Sequence, residues 1–118
     1  MTNSKSAIYQ FGDIVLLAFP FTNAQQKKKR PALVLFESGN QDFTLCRITS
    51  HEKETEFDYF INKWENHGLL LPSVIRLNKI ATLENILIEK KLGKLSKKQM
   101  TEVKSMLVSL MKNSLKIS

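Results

Sequence analysis

A helical period is clear at one place in this chain. Behind SKKQ (96–99), Met100, Val103, Leu107 and Leu110 recur at three- and four-residue steps, which predicts one apolar face of a helix over about Lys97 to Lys112. Ser96 can cap the first turn, and Gln99 can reciprocate from three residues on. Ahead of this point the apolar residues come as short runs between turn signals. DIVLLAF (13–19) reads as a buried strand, opened by Gly12-Asp13 and closed by Pro20. FTNAQQKKKR (21–30) is polar and without period, a long loop, and PALVLFE (31–37) is the next strand. Pro31 is expected to begin that strand, because a proline would disrupt its middle. Ser38-Gly39-Asn40 is turn chemistry and suggests a hairpin into DFTLCRI (42–48).

TSHEKETE (49–56) is a charged loop, FDYFIN (57–62) a further strand and WENHG (64–68) a turn or short helix. SVIRLNKI (73–80) alternates as a strand does. ATLENILIEKKLGKL (81–95) fits helix or strand, and is read as a turn at Ala81–Asn85 followed by a strand. Short strands followed by one helix predict a mainly β, α+β fold: a small, strongly bent antiparallel sheet or barrel with a covering C-terminal helix. The 118 residues fit a single domain, with a flexible N-terminus over 1–10 and the helix over 96–112.

Composition narrows the function. No run reaches the roughly 18 apolar residues of a membrane span. MTNSKSAIYQFGD has neither a long apolar core nor a small-residue cleavage pattern, so no signal peptide is read and a cytoplasmic protein is expected. The single cysteine, Cys46, forms no intramolecular disulfide and no cysteine cluster; in FTLCRI it reads as a small buried hydrophobe. His51 and His67 lie in different loops, without a His-x-x-x-His or carboxylate cluster, so no metal or other cofactor is expected. Neither GxxxxGK[ST] nor GxGxxG occurs among the four glycines, and there is no GxSxG elbow.

The net charge of +7 points to a polyanion or an acidic protein as partner. Lysine supplies most of it; only Arg30, Arg47 and Arg76 carry the rigid, always-charged fork that suits phosphate, and each lies in or beside a strand-like run. If the two strands around Ser38–Asn40 pair as a hairpin, their outer ends bring Arg30 beside Thr49 and Ser50. A cation beside two hydroxyls can hold a phosphodiester, and phosphoryl transfer depends on stabilising charge on the non-bridging oxygens. RNA carries its own nucleophile, the 2′-hydroxyl. The plainer alternative leaves Arg30 as a solvated loop-end cation and Thr49-Ser50 as caps of the next turn.

GDIVLLAFPFT (12–22), KKRPALVL (28–35), ITS (48–50), GLLLPSVIRLNKIATLE (68–84) and KKLGKLSKKQMTEV (90–103) occur in that order. Together they resemble the MazF/PemK family of toxin–antitoxin ribonucleases. The resemblance implies an SH3-like barrel with a C-terminal helix, working as a homodimer. It implies metal-independent cleavage of single-stranded RNA, including mRNA, through a 2′,3′-cyclic phosphate to a 5′-hydroxyl, arresting translation and growth. It also implies a cognate antitoxin with an acidic, partly disordered segment.

By the same resemblance the catalytic residues are Arg30, Thr49, Ser50 and Arg76. Arg30 stabilises charge on the phosphate, Thr49 hydrogen-bonds that phosphate or orients Arg30, and Arg76 is a second cation. A guanidinium keeps its proton and is a poor general base, which favours the electrostatic role. RNA holding falls to Lys27, Lys28 and Lys29, and to Asn78 and Lys79 on the later strand. Two positions depart from the family pattern: Asn78 stands where a PemK-type member has an aspartate, and Ala81 where an arginine is often found. They keep other readings in play: a non-catalytic SH3-like binding module, a gyrase-directed toxin of the CcdB type, or a decayed toxin. CcdB-type poisons depend on a terminal tryptophan, whereas this chain ends in LKIS.

Overall fold

The computed structural model describes residues 8–20, 27–50 and 52–114. The expectations for His51, for 21–26 and for most of the N-terminal segment lie outside the described residues. Six strands form one antiparallel sheet: β1 (Asp13–Pro20), β2 (Lys27–Gly39), β3 (Asp42–Thr49), β4 (Asp58–Phe60), β5 (Val74–Glu84) and β6 (Ile88–Lys94). The strand order is β4-β5-β3-β2-β1-β6. The sheet is bent and not closed, since β4 and β6 are its two ends. One helix, α1 (Lys97–Ser114), follows, and the architecture is the expected α+β fold.

The strands read as nearly unbroken apolar runs because the sheet is buried on both faces. Ile14, Leu33, Cys46, Ile48 and Ile75 pack on one face with Val103 of α1. Val15, Leu17, Ala32, Val34, Phe43 and Leu45 form a second cluster on the other, closed by Ile88. Tyr9 meets Phe43 edge-on there, with ring centroids 5.5 Å apart.

Helix α1 starts where its signal lies. The Ser96 hydroxyl accepts from the Gln99 backbone N–H at 3.1 Å, and the Gln99 side chain accepts from the Ser96 N–H at 2.9 Å. Gln99 also donates to the Asn62 carbonyl at 3.0 Å, which ties the helix start to the loop after β4. The β2–β3 hairpin turns through Asn40 and Gln41, whose φ values of 51° and 67° are the pair of positive values that a two-residue type I′ turn needs.

Two boundaries differ from expectation. Lys27 to Arg30 are not loop but strand, paired with β1 from Pro20↔Lys27 to Leu17↔Arg30, and Pro31 sits inside β2 opposite Leu16. From Lys27 to Pro31, β2 has β1 as its only strand partner among the described residues, so that half behaves as an edge and tolerates the missing N–H. The expected turn at Ala81–Asn85 is also displaced. β5 continues to Glu84 because β3 supplies a partner as far as Asp42↔Glu84, and the Thr44 and Thr82 hydroxyls meet at 2.7 Å. The chain turns instead at Asn85–Leu87.

Candidate active site

The strand registers build a row of side chains on the helix-free face. Asp58 of β4 is opposite Arg76 of β5, Arg76 is opposite Arg47 of β3, and Arg47 is opposite Ala32 of β2. Directly opposed residues in an antiparallel pair share a face. Arg30 lies two residues before Ala32 and Thr49 two after Arg47, so alternation puts both on this face. Leu17, opposite Arg30 on β1, supplies its apolar border.

β2 and β3 part company beside Ala32↔Arg47, while β3 stays paired with β5 to Thr49↔Val74. A cavity of about 460 Å³ opens at this fork. Arg30, Pro31 and Ala32 line one wall, Leu45 to Arg47 its middle, and Asn78 to Ala81 the other wall. That last wall exists because of a bulge. Cys46 pairs with Ile80 but Arg47 with Arg76, so Leu77, Asn78 and Lys79 are looped out of the β3–β5 ladder. Bulges re-aim side chains in this way. Leu77 turns into the core, while Asn78 and Lys79 are exposed at the cavity.

The three arginines are not equivalent. Arg76, only 17% exposed, reaches Glu54 at 3.2 Å and Asp58 at 3.6 Å. The Asp58 side chain has no exposed surface; it accepts from the backbone N–H of Glu54 at 2.9 Å and of Thr55 at 3.3 Å. Arg76 is therefore part of the clasp that fastens the β3–β4 loop to the sheet. Arg30 is half-buried and Arg47 exposed, and among the described residues neither has a carboxylate in ion-pair range.

The expected site residues thus separate. Arg30, Asn78 and Lys79 line one cavity. Thr49 is 6% exposed at the end of β3, and Ser50 is exposed just beyond it. Lys28 is exposed, whereas Lys29 pairs with Glu89 of β6 at 3.0 Å and, as the neighbour of Arg30, belongs to the opposite face. Lys27 opens β2. Arg47 joins the cavity without having been singled out among the site residues. Its signal was present, since it is one of only three arginines, but its place depends on the β2–β3 and β3–β5 registers.

Cys46, in the cavity's middle strand, has no exposed surface and is the small buried hydrophobe expected; burial pushes its thiol up to about 12. His67 places Nδ1 2.8 Å from the Lys94 carbonyl, away from the arginines. Among the described residues, no three His, Cys, Asp or Glu side chains gather where they could hold a metal ion. No helix among them is long and apolar enough to cross a membrane.

A bent six-stranded antiparallel sheet followed by a C-terminal helix thus carries an arginine-lined fork. The family described as PemK-like, MazF-like toxins of type II toxin–antitoxin systems matches residues 10–111, and the chain belongs to that family. Among solved structures, a MazE–MazF complex from Deinococcus radiodurans is similar with a TM-score of 0.72 at 21% identity, over 89% of this chain and 97% of that one. An endoribonuclease in complex with its cognate antitoxin, from a Mycobacterial species, gives 0.71 at 13%, over 88% and 95%. A MazF toxin of Mycobacterium tuberculosis gives 0.66 at 17%, over 83% and 96%. At these identities the likeness is one of fold. No curated protein matches.

Proposed function

We propose that this toxin is an endoribonuclease that cuts single-stranded RNA, mRNA included, at the β2–β3 fork. The observation that carries the reading is Arg30: a guanidinium without a carboxylate partner among the described residues, at the mouth of a cavity, on the face that also bears Thr49. The 2′-oxygen of the substrate attacks phosphorus, the P–O5′ bond breaks, and the products are a 2′,3′-cyclic phosphate and a 5′-hydroxyl. The proton lost from the 2′-hydroxyl is balanced by one gained at the 5′-oxygen. Arg30 stabilises the charge that builds on the non-bridging oxygens, the largest single contribution in sites of this type. Thr49 bonds the same phosphate or orients Arg30, with Ser50 beside it, and Arg76 holds the loop that follows them.

The +7 charge favours an anionic substrate and, equally, an acidic antitoxin segment laid over the same face. The toxin works as a homodimer in the cytoplasm and needs no metal ion. The test is purified protein with a single-stranded RNA in excess chelator. Wild type is expected to leave 5′-hydroxyl ends and Arg30→Ala to leave the RNA intact. RNA left whole by wild type, with and without chelator, contradicts the reading. Toxicity that persists in Arg30→Ala without RNA cleavage points to a binding module instead.

A further inference from the structure

We infer that Arg47 is a second RNA-phosphate ligand, forming with Asn78 and Lys79 an anion subsite across the cavity from Arg30. The inference rests on the nuclease reading for the identity of the anion, and extends it to Arg47, a residue not yet given a role. Arg47 stands directly opposite Arg76 in the β3–β5 ladder. Like charges so placed repel. Arg76 is answered by Asp58 and Glu54, but among the described residues no carboxylate answers Arg47. An exposed guanidinium on a cavity wall, with no carboxylate against it among the described residues, suits an anion, and its planar fork matches phosphate oxygens.

The cavity gives this anion its setting. Leu17, Ala32, Leu45 and Leu83 give it an apolar floor, with Arg30 on β2 and Arg47, Asn78 and Lys79 on β3 and β5. A nucleotide lying across it places a base against the apolar floor and a phosphate at each cationic wall. Arg30 then serves the phosphate that reacts and Arg47 a neighbouring one. Arg76, held from behind by Asp58, is a positioning residue.

The test is binding of a single-stranded 2′-O-methyl RNA oligonucleotide, which cannot be cut, measured by fluorescence anisotropy between about 50 and 200 mM NaCl. Arg47→Ala is expected to weaken binding at least about tenfold at the low-salt end and to flatten the slope of log affinity against log salt by roughly one phosphate contact. With cleavable RNA its KM rises while kcat stays within about threefold, the split expected when ground-state and transition-state binding are lost together. Lys112→Ala, an exposed lysine in the last turn of α1, is the control and should match wild type.

Arg47→Ala indistinguishable from Lys112→Ala in both affinity and slope overturns the proposal, as does loss of kcat alone. Wild type that binds with an Arg47-dependent slope but cuts nothing supports the subsite and overturns the nuclease reading. Wild type that does not bind the oligonucleotide overturns both.

Discussion

Arg76 and Asp58 face each other across the β4–β5 ladder, with the guanidinium 3.6 Å from a carboxylate that has no exposed surface. The same carboxylate caps the N–H groups of Glu54 and Thr55, so one buried charge fixes both an arginine and a loop. Removing one partner of a buried pair costs about 3–5 kcal/mol, because the other charge stays behind. Asp58→Ala is expected to lose that much in urea denaturation. Glu54→Ala removes a carboxylate that is 57% exposed, and should lose less than about 1 kcal/mol. Equal losses would mean that Asp58 does not anchor Arg76.

The role proposed for Arg30 requires shape as well as charge. Arg30→Lys keeps a cation but loses the fork, and cleavage is expected to fall by about 100-fold or more, the scale seen when one transition-state donor is removed. Lys28→Arg, two residues earlier on the exposed part of β2, should leave activity within about twofold. Unfolding midpoints of both variants should stay near wild type. Full activity of Arg30→Lys on a labelled RNA would remove Arg30 from the chemistry.

The helix start separates a local cap from a tertiary one. Ser96→Ala removes the acceptor of the Gln99 N–H and should cost about 1 kcal/mol. Gln99→Ala removes the acceptor of the Ser96 N–H and also the bond to the Asn62 carbonyl. It should cost roughly twice as much by thermal melting, at about 1 kcal/mol per bond. A Gln99→Ala variant no less stable than Ser96→Ala would show that the bond to Asn62 contributes nothing.

The alkaline limb of stability has a definite sign. Burial raises the Cys46 thiol from 9.0 to about 12, and Tyr59 is raised by burial and by its hydrogen bond to Glu102. Between pH 9 and 12 the unfolded thiol has lost its proton and the folded one keeps it, so the unfolded state binds fewer protons. Stability contributed by the thiol is therefore complete below about pH 9 and falls as pH rises, by up to about 1.4 kcal/mol per unit. Cys46→Ala should flatten this limb in urea titrations at several pH values. A limb as steep as wild type would show that Cys46 ionises as readily folded as unfolded.

Much of this fold is legible in the chain because its signals are local. The Ser96–Gln99 reciprocity, the spacing of Met100, Val103 and Leu107, and the Gly39-Asn40 turn need no knowledge of distant residues. What is not legible is set by partners. Thr82 belongs to a strand because Thr44 meets it, and Lys27 to Arg30 become strand because β1 reaches them. Asp58 lies in a run that reads only as a strand, and its burial against Arg76 follows from the β4–β5 register. The site divides likewise. Arg30 stands out at the junction of a basic run and a buried strand. The contrast between Arg47 and Arg76 appears only when a three-residue bulge and two registers decide which of them a carboxylate answers.

The most direct measurement of the central claim is mapping of RNA ends after a pulse of expression in a bacterium, comparing wild type with Arg30→Ala. New 5′-hydroxyl ends at a recurring short sequence, together with growth arrest, are expected from wild type, and neither from Arg30→Ala expressed at the same level. Growth arrest by both proteins without new 5′-hydroxyl ends would contradict the assignment of the β2–β3 fork as an RNA-cleaving site.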